Sequence, residues 1–137
     1  MEHEKMTVLV VEPMKKPYVK EIDSGLKSLQ HEVGGYIQTV YPWEEPCAIV
    51  CDDEAKLNGK EWNRALRDED GNIYDIVAGT FLSVGLGEDD FVSLTDEYIW
   101  QFSARFVVPE MFIRLNGKIV VIPVEEFENK RSNEEEK

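Results

Sequence analysis

The sequence predicts an α+β domain: a mainly antiparallel, twisted sheet with two short helices packed on it. Three observations carry that reading. Short apolar runs with period-two alternation outnumber helical patterns. Turn-forming Asn-Gly or Asp-Gly pairs fall at 58–59, 70–71 and 116–117. Only two segments repeat apolar residues at helical spacing. With 137 residues the chain is one domain's worth. Residues 1–5 read as a leader, 6–126 as a single α+β domain and 127–137 as a disordered acidic tail.

TVLVVEP (7–13) is the first expected strand, and YVKEID (18–23) returns as a second after the turn at Lys15, Lys16 and Pro17. Asp23 or Ser24 caps a short helix whose inner face is Leu26, Leu29 and Val33, and Gly34-Gly35 stop it. YIQTVY (36–41) and CAIVC (47–51) are strands on either side of the loop Trp43, Glu44 and Glu45. Asn58-Gly59 is expected to make a two-residue hairpin turn, EWNRALRD a turn of helix, and Asp70-Gly71 another turn. IYDIVAGTFLSVG reads as one long central strand with a bulge or close backbone approach at Gly79. Ser93 to Asp96 open the second helix, with Asp96 as the acidic member of a capping box; Leu94, Tyr98, Ile99, Phe102 and Phe106 form its apolar stripe, and Pro109 ends it. FIRL and KIVVI, joined by Asn116-Gly117, are the clearest hairpin in the chain.

Charge is the strongest compositional signal. Acids number 28 against 15 bases, a net charge of −13. The tail from Glu125 and the first five residues account for part of this, but residues 6–124 still hold 20 acids and 11 bases, a net −9. A body this acidic is repelled by nucleic acid and by anionic membranes, and attracted to basic protein surfaces. No run of about 18 apolar residues is present to span a membrane, and no secretory leader is recognisable, so the cytoplasm is the expected location. Cys47 and Cys51 share one strand face about 13 Å apart, too far to bond. They read as buried thiols.

Several chemistries find no support. A nucleophile needs a held base, yet His3 lies in the leader and His31 on a helix surface. Zinc needs three or four N/S ligands, and two cysteines with one body histidine do not supply them. VGLGEDDF puts Asp90 where a dinucleotide motif needs glycine, and DEDGN lacks the glutamate that closes a calcium loop. No enzyme, cofactor or metal is therefore expected. Two residue groups remain. Asn63, Arg64 and Arg67, near the Gly34 and Gly35 backbone, form a candidate anionic-ligand site, the arginines being equally able to pair with body acids. Trp43, Glu44 and Glu45 form a candidate protein-interaction loop.

Gly34-Gly35-Tyr36, Asp52-Asp53-Glu54, Leu57-Asn58-Gly59 and Asn63 together resemble the pattern of an uncharacterised bacterial domain family of unknown function. The family is common on plasmids, phages and conjugative elements of Firmicutes. The likeness covers residues 7–94 best, and Lys60-Glu61 departs from the Leu-Pro usual in the family. The resemblance implies a genetic context and no activity.

The expected function is that of a non-catalytic binding protein of a mobile element. It would use an acidic face to occupy the basic, nucleic-acid-binding surface of a host protein, such as a restriction or CRISPR nuclease, in an anti-defence role. It would not bind nucleic acid or membrane directly. Two alternatives stay open: a binder of a small ligand or nucleotide signal through the Asn/Arg cluster, and an accessory interaction domain unrelated to defence.

Overall fold

A computed structural model of the chain describes residues 4–124. The tail expected at 127–137 lies outside the described residues. Ten strands and two helices follow in the order β1 (Lys5–Val11), β2 (Tyr18–Asp23), α1 (Leu26–Val33), β3 (Ile37–Val40), β4 (Cys47–Asp52), β5 (Trp62–Arg67), β6 (Ile73–Ala78), β7 (Phe81–Leu86), β8 (Phe91–Val92), α2 (Asp96–Arg105), β9 (Glu110–Leu115) and β10 (Lys118–Pro123). The fold class is α+β. The main sheet runs β2-β1-β7-β4-β3, every neighbour antiparallel, with β8 pairing the far end of β7. Two separate hairpins, β5–β6 and β9–β10, complete the structure.

Strand alternation divides the core between the two faces of the main sheet. Val8, Val10, Ala48, Val50, Leu82 and Val84 meet Leu29 and Val33 of α1 on one face. Leu9, Val11, Cys47, Ile49, Cys51 and Phe81 meet Leu66, Val77, Phe102 and Phe106 on the other. The sheet is therefore covered on both sides, by α1 on one and by the β5–β6 hairpin with α2 on the other. This explains why all six residues of β4 are buried.

Four local expectations are corrected. EWNRALRD is not a helical turn; Trp62–Arg67 is a strand with a bulge at Asn63. The spacing of Trp62, Ala65 and Leu66 imitates a helix, but pairing with β6 decides the conformation. Asn58-Gly59 does not close a hairpin, because β4 and β5 do not pair. The loop instead winds through turn bonds such as Asn58 N–H to Glu54 O and Lys60 N–H to Ala55 O. IYDIVAGTFLSVG is two strands in different sheets, turning at Gly79 with φ +73°. The helix caps also differ: Gly25 precedes α1 without a side-chain cap bond, and Thr95, not Ser93, accepts the amide of Tyr98 to begin α2. α2 ends at Arg105, ahead of Pro109.

Other expectations hold. β2 covers the predicted residues 18–23, Gly34 closes α1 in the left-handed conformation, and Asn116-Gly117, both at positive φ, turn β9 into β10. Cys47 and Cys51 are buried, unbonded and on one face. No helix among the described residues is long and apolar enough to cross a membrane.

Candidate functional site

The bulge in β5 determines what the Asn/Arg cluster does. Pairing passes from Trp62–Ala78 to Arg64–Val77, which leaves Asn63 as the extra residue and lets both Asn63 and Arg64 turn inward. Both are essentially fully buried. The Asn63 amide donates to Val11 O at 2.9 Å and Gly79 O at 2.8 Å, tying the end of β1 to the corner between β6 and β7. Its Oδ1 accepts from Arg64 Nη1 at 2.7 Å. Arg64 also bonds the carbonyls of Asn63, Lys15 and Phe106, so each of its three nitrogens is engaged within the protein. Burial pushes its pKa down to about 10, which still leaves it charged at neutral pH.

Gly34 and Gly35 belong to a different place. Lys60 Nζ donates to Val33 O and Gly34 O, both at 3.1 Å, placing a cation on the carbonyl end of α1. The same ammonium pairs with the buried carboxylate of Asp52 at 2.5 Å. Burial opposes ionisation of Asp52, but the Lys60 bond and the Glu54 amide outweigh it and hold its pKa below the usual carboxylate value. Gly35 is required beside it: a Cβ there would lie 2.5 Å from Asp52 Oδ1.

Of the expected ligand residues, Arg67 alone lines an open groove, and there it meets the expected interaction loop. The groove, about 1270 Å³, has Tyr41, Pro42, Trp43, Glu44 and Glu45 on one wall. Arg67, Asp68, Glu69 and Tyr74 of the β5–β6 hairpin also line it, as do Arg105, Phe106 and Glu110. Trp43 is half-buried, stacked on Phe102 at 4.1 Å, and the Arg105 guanidinium lies over its ring at 5.5 Å. The loop is thus anchored through its tryptophan, leaving Glu44 exposed. Glu45 accepts from Gln101 at 3.0 Å; a bond to its own main chain, that amide and the nearby Arg105 lower its pKa. Arg67 pairs with Glu110 at 2.7 Å, and the second Glu110 oxygen accepts the Ala65 amide.

Sequence reasoning had found Trp43, Glu44, Glu45 and Arg67 but not that they share a groove, and it missed Tyr41, Asp68, Glu69, Tyr74 and Arg105. Asp68 and Glu69 were visible only as turn residues, a role they do fill: Asp68 Oδ1 accepts the amides of Asp70 and Asn72. The isolated acid before an apolar strand, Glu110 in EMFIRL, was the one signal of a buried partner for a nearby arginine. Among the described residues no group of three or more His, Cys, Asp or Glu side chains is placed to hold a metal ion.

The profile of a family described as Domain of unknown function (DUF3846) matches residues 6–107. The chain belongs to this family. The match contains the main sheet, both helices and the β5–β6 hairpin, and ends before β9. The residues that pointed to an uncharacterised family are thereby given physical roles in a DUF3846 domain: Gly34-Gly35 and Asp52 build the Lys60 site, and Asn63 joins β1 to the Gly79 corner. No curated protein and no solved structure matches the chain.

Proposed function

We propose that this chain is a non-catalytic binding protein whose groove receives a basic surface of another protein. One observation carries the reading: Tyr41, Trp43 and Tyr74 line a groove bordered by Glu44, Glu45, Asp68 and Glu69, and none of those four acids is in an ion pair among the described residues. The exposed rings of Tyr41 and Tyr74 offer apolar area and cation-binding faces, Trp43 being already engaged by Phe102 and Arg105, while the carboxylates attract and orient a cationic partner.

The acidic border extends beyond the groove. Leu86 N–H bonds Pro46 O at 2.8 Å, which sets the Glu88-Asp89-Asp90 turn beside the Glu44–Glu45 loop. Five ion pairs among the described residues employ Asp23, Glu32, Asp52, Asp75 and Glu110, leaving these border acids to act outward. The partner we put first is a nucleic-acid-binding protein of the host, such as a nuclease, whose basic groove fits such a border. The resemblance to a family of mobile elements supports an anti-defence setting for it.

A labelled deca-arginine peptide titrated into the full chain tests the groove. Binding is expected to weaken steeply between about 50 and 200 mM NaCl. The double variant Glu44→Lys, Glu69→Lys should bind at least about tenfold more weakly, a loss of about 1.4 kcal/mol, with an unchanged melting temperature. Equal affinity of variant and wild type, or binding indifferent to salt, overturns the proposal.

A further inference from the structure

Two cations line the groove, Arg67 and Arg105, and they differ in how they are held. Arg67 is neutralised by Glu110 at 2.7 Å. Arg105, the last residue of α2, is exposed, and among the described residues its guanidinium makes no ion pair and no hydrogen bond. It is nonetheless fixed in place. Its central carbon lies 5.5 Å from the Trp43 ring centre and 5.9 Å from that of Phe102, nearly equidistant from two rings stacked on one another. Such contact attracts the charge but leaves the N–H donors of the fork unused. Glu45 of the neighbouring loop accepts from Gln101 instead. The charge of Arg105 is felt on the β5–β6 hairpin as well: burial and Asp75 raise the Tyr74 pKa, and Arg105 opposes that rise.

We propose that Arg105 reads an oxyanion, a carboxylate or a phosphate, carried by the basic protein segment that the groove receives. This rests on the groove reading given above and adds a charge pattern to it: cations on the partner opposite Glu44, Glu45, Asp68 and Glu69, and one anion opposite Arg105. A wholly cationic segment would set like charges against each other at Arg105, which opposes binding. The planar fork of an arginine matches either oxyanion with two parallel bonds. Its seat beside Trp43 and Phe102 fixes the fork before the partner arrives, so less freedom is lost on binding. At about 1270 Å³ the groove has room for several side chains of a segment. A nucleic acid would bring oxyanions but no cations for the four acids, and the acidic body repels it.

The test uses poly-arginine peptides of one length whose central residue is glutamine, glutamate or phosphoserine, titrated into the full chain and into Arg105→Gln. By net charge alone the glutamine peptide, the most cationic, should bind this acidic chain best. The wild type is expected to bind the glutamate or the phosphoserine peptide at least as tightly as the glutamine one. In Arg105→Gln both should fall at least about fivefold behind it, the comparison forming a double-mutant cycle. Glutamate ahead of phosphoserine on the wild type names a carboxylate as the anion, and the reverse order a phosphate. Arg105→Lys, which keeps the charge without the fork, should keep the preference only in part. It also carries the comparison should Arg105→Gln fail to fold. A residue placed only to complement the α2 dipole would shift all three affinities by one factor. That result overturns the inference and leaves the groove reading standing. Failure of every peptide to bind the wild type overturns both.

Discussion

Phe106 and Arg64 are joined twice: the carbonyl that follows the last turn of α2 accepts from Nε at 3.3 Å and from Nη2 at 2.9 Å of one guanidinium. The remaining bonds of that guanidinium reach Lys15 O at 2.7 Å and both oxygens of Asn63. A single side chain on β5 thus fixes the β1–β2 turn and the end of α2. Arg64→Ala should cost about 3–5 kcal/mol in urea unfolding, because it opens a cavity and strands buried carbonyls. Arg64→Lys should recover less than half of that, since a point charge cannot replace the planar fork. A loss below about 1 kcal/mol for the alanine variant would refute the role.

The Asp52–Lys60 pair gives a pH dependence of defined sign. A carboxylate whose pKa is lowered by folding adds stability that is complete above its unfolded value and fades as pH falls through the folded one. Stability should therefore decline below about pH 4. Asp52→Asn should flatten this acid limb while lowering stability at pH 7 by about 1–3 kcal/mol, since the partly exposed Lys60 keeps its two carbonyl acceptors. Melting temperatures measured from about pH 2.5 to 7 check both parts.

Glycines in the first half of the chain should respond unequally to alanine. At Gly35 the added carbon would sit 2.5 Å from Asp52 Oδ1, and displacing that carboxylate disturbs its bond to Lys60. Gly35→Ala should lose about 1–3 kcal/mol by crowding. Gly59 has open space around it but φ +73°, so Gly59→Ala should lose only the backbone cost of about 1 kcal/mol. Equal losses at the two sites would remove the steric account of Gly35.

Both thiols should be inert in the native state. Burial raises the pKa of Cys47 and of Cys51 to about 11, so little thiolate exists near neutrality. Reaction with a thiol reagent at pH 8 should be slow, reaching two equivalents only as denaturant unfolds the chain. Rapid labelling of one cysteine in buffer would show that its strand opens locally.

The parts of this fold legible in the sequence are those decided by neighbours in the chain. β2, the left-handed Gly34 and the Asn116-Gly117 turn are of that kind, for each needs only local alternation or a residue tolerant of positive φ. β5 was misread because burial of Asn63 and Arg64 depends on acceptors up to 52 residues away, Val11 among them. The long run from Ile73 to Leu86 hid its corner, as both halves are apolar and only pairing with different strands separates them. The groove was half legible: Trp43 and its two glutamates stand out in a Pro-bracketed loop, whereas Arg105 and Tyr74 reach it through packing alone.

Glu110 lies three residues beyond the family match, yet one of its oxygens receives the Ala65 amide inside β5 and the other neutralises Arg67. A fragment trimmed to residues 6–107 would leave that amide without its acceptor and that guanidinium without its anion. The segment that family comparison delimits accordingly omits a partner that β5 uses, and a truncation meant to keep the bonding of that strand intact has to retain at least the first strand of the following hairpin.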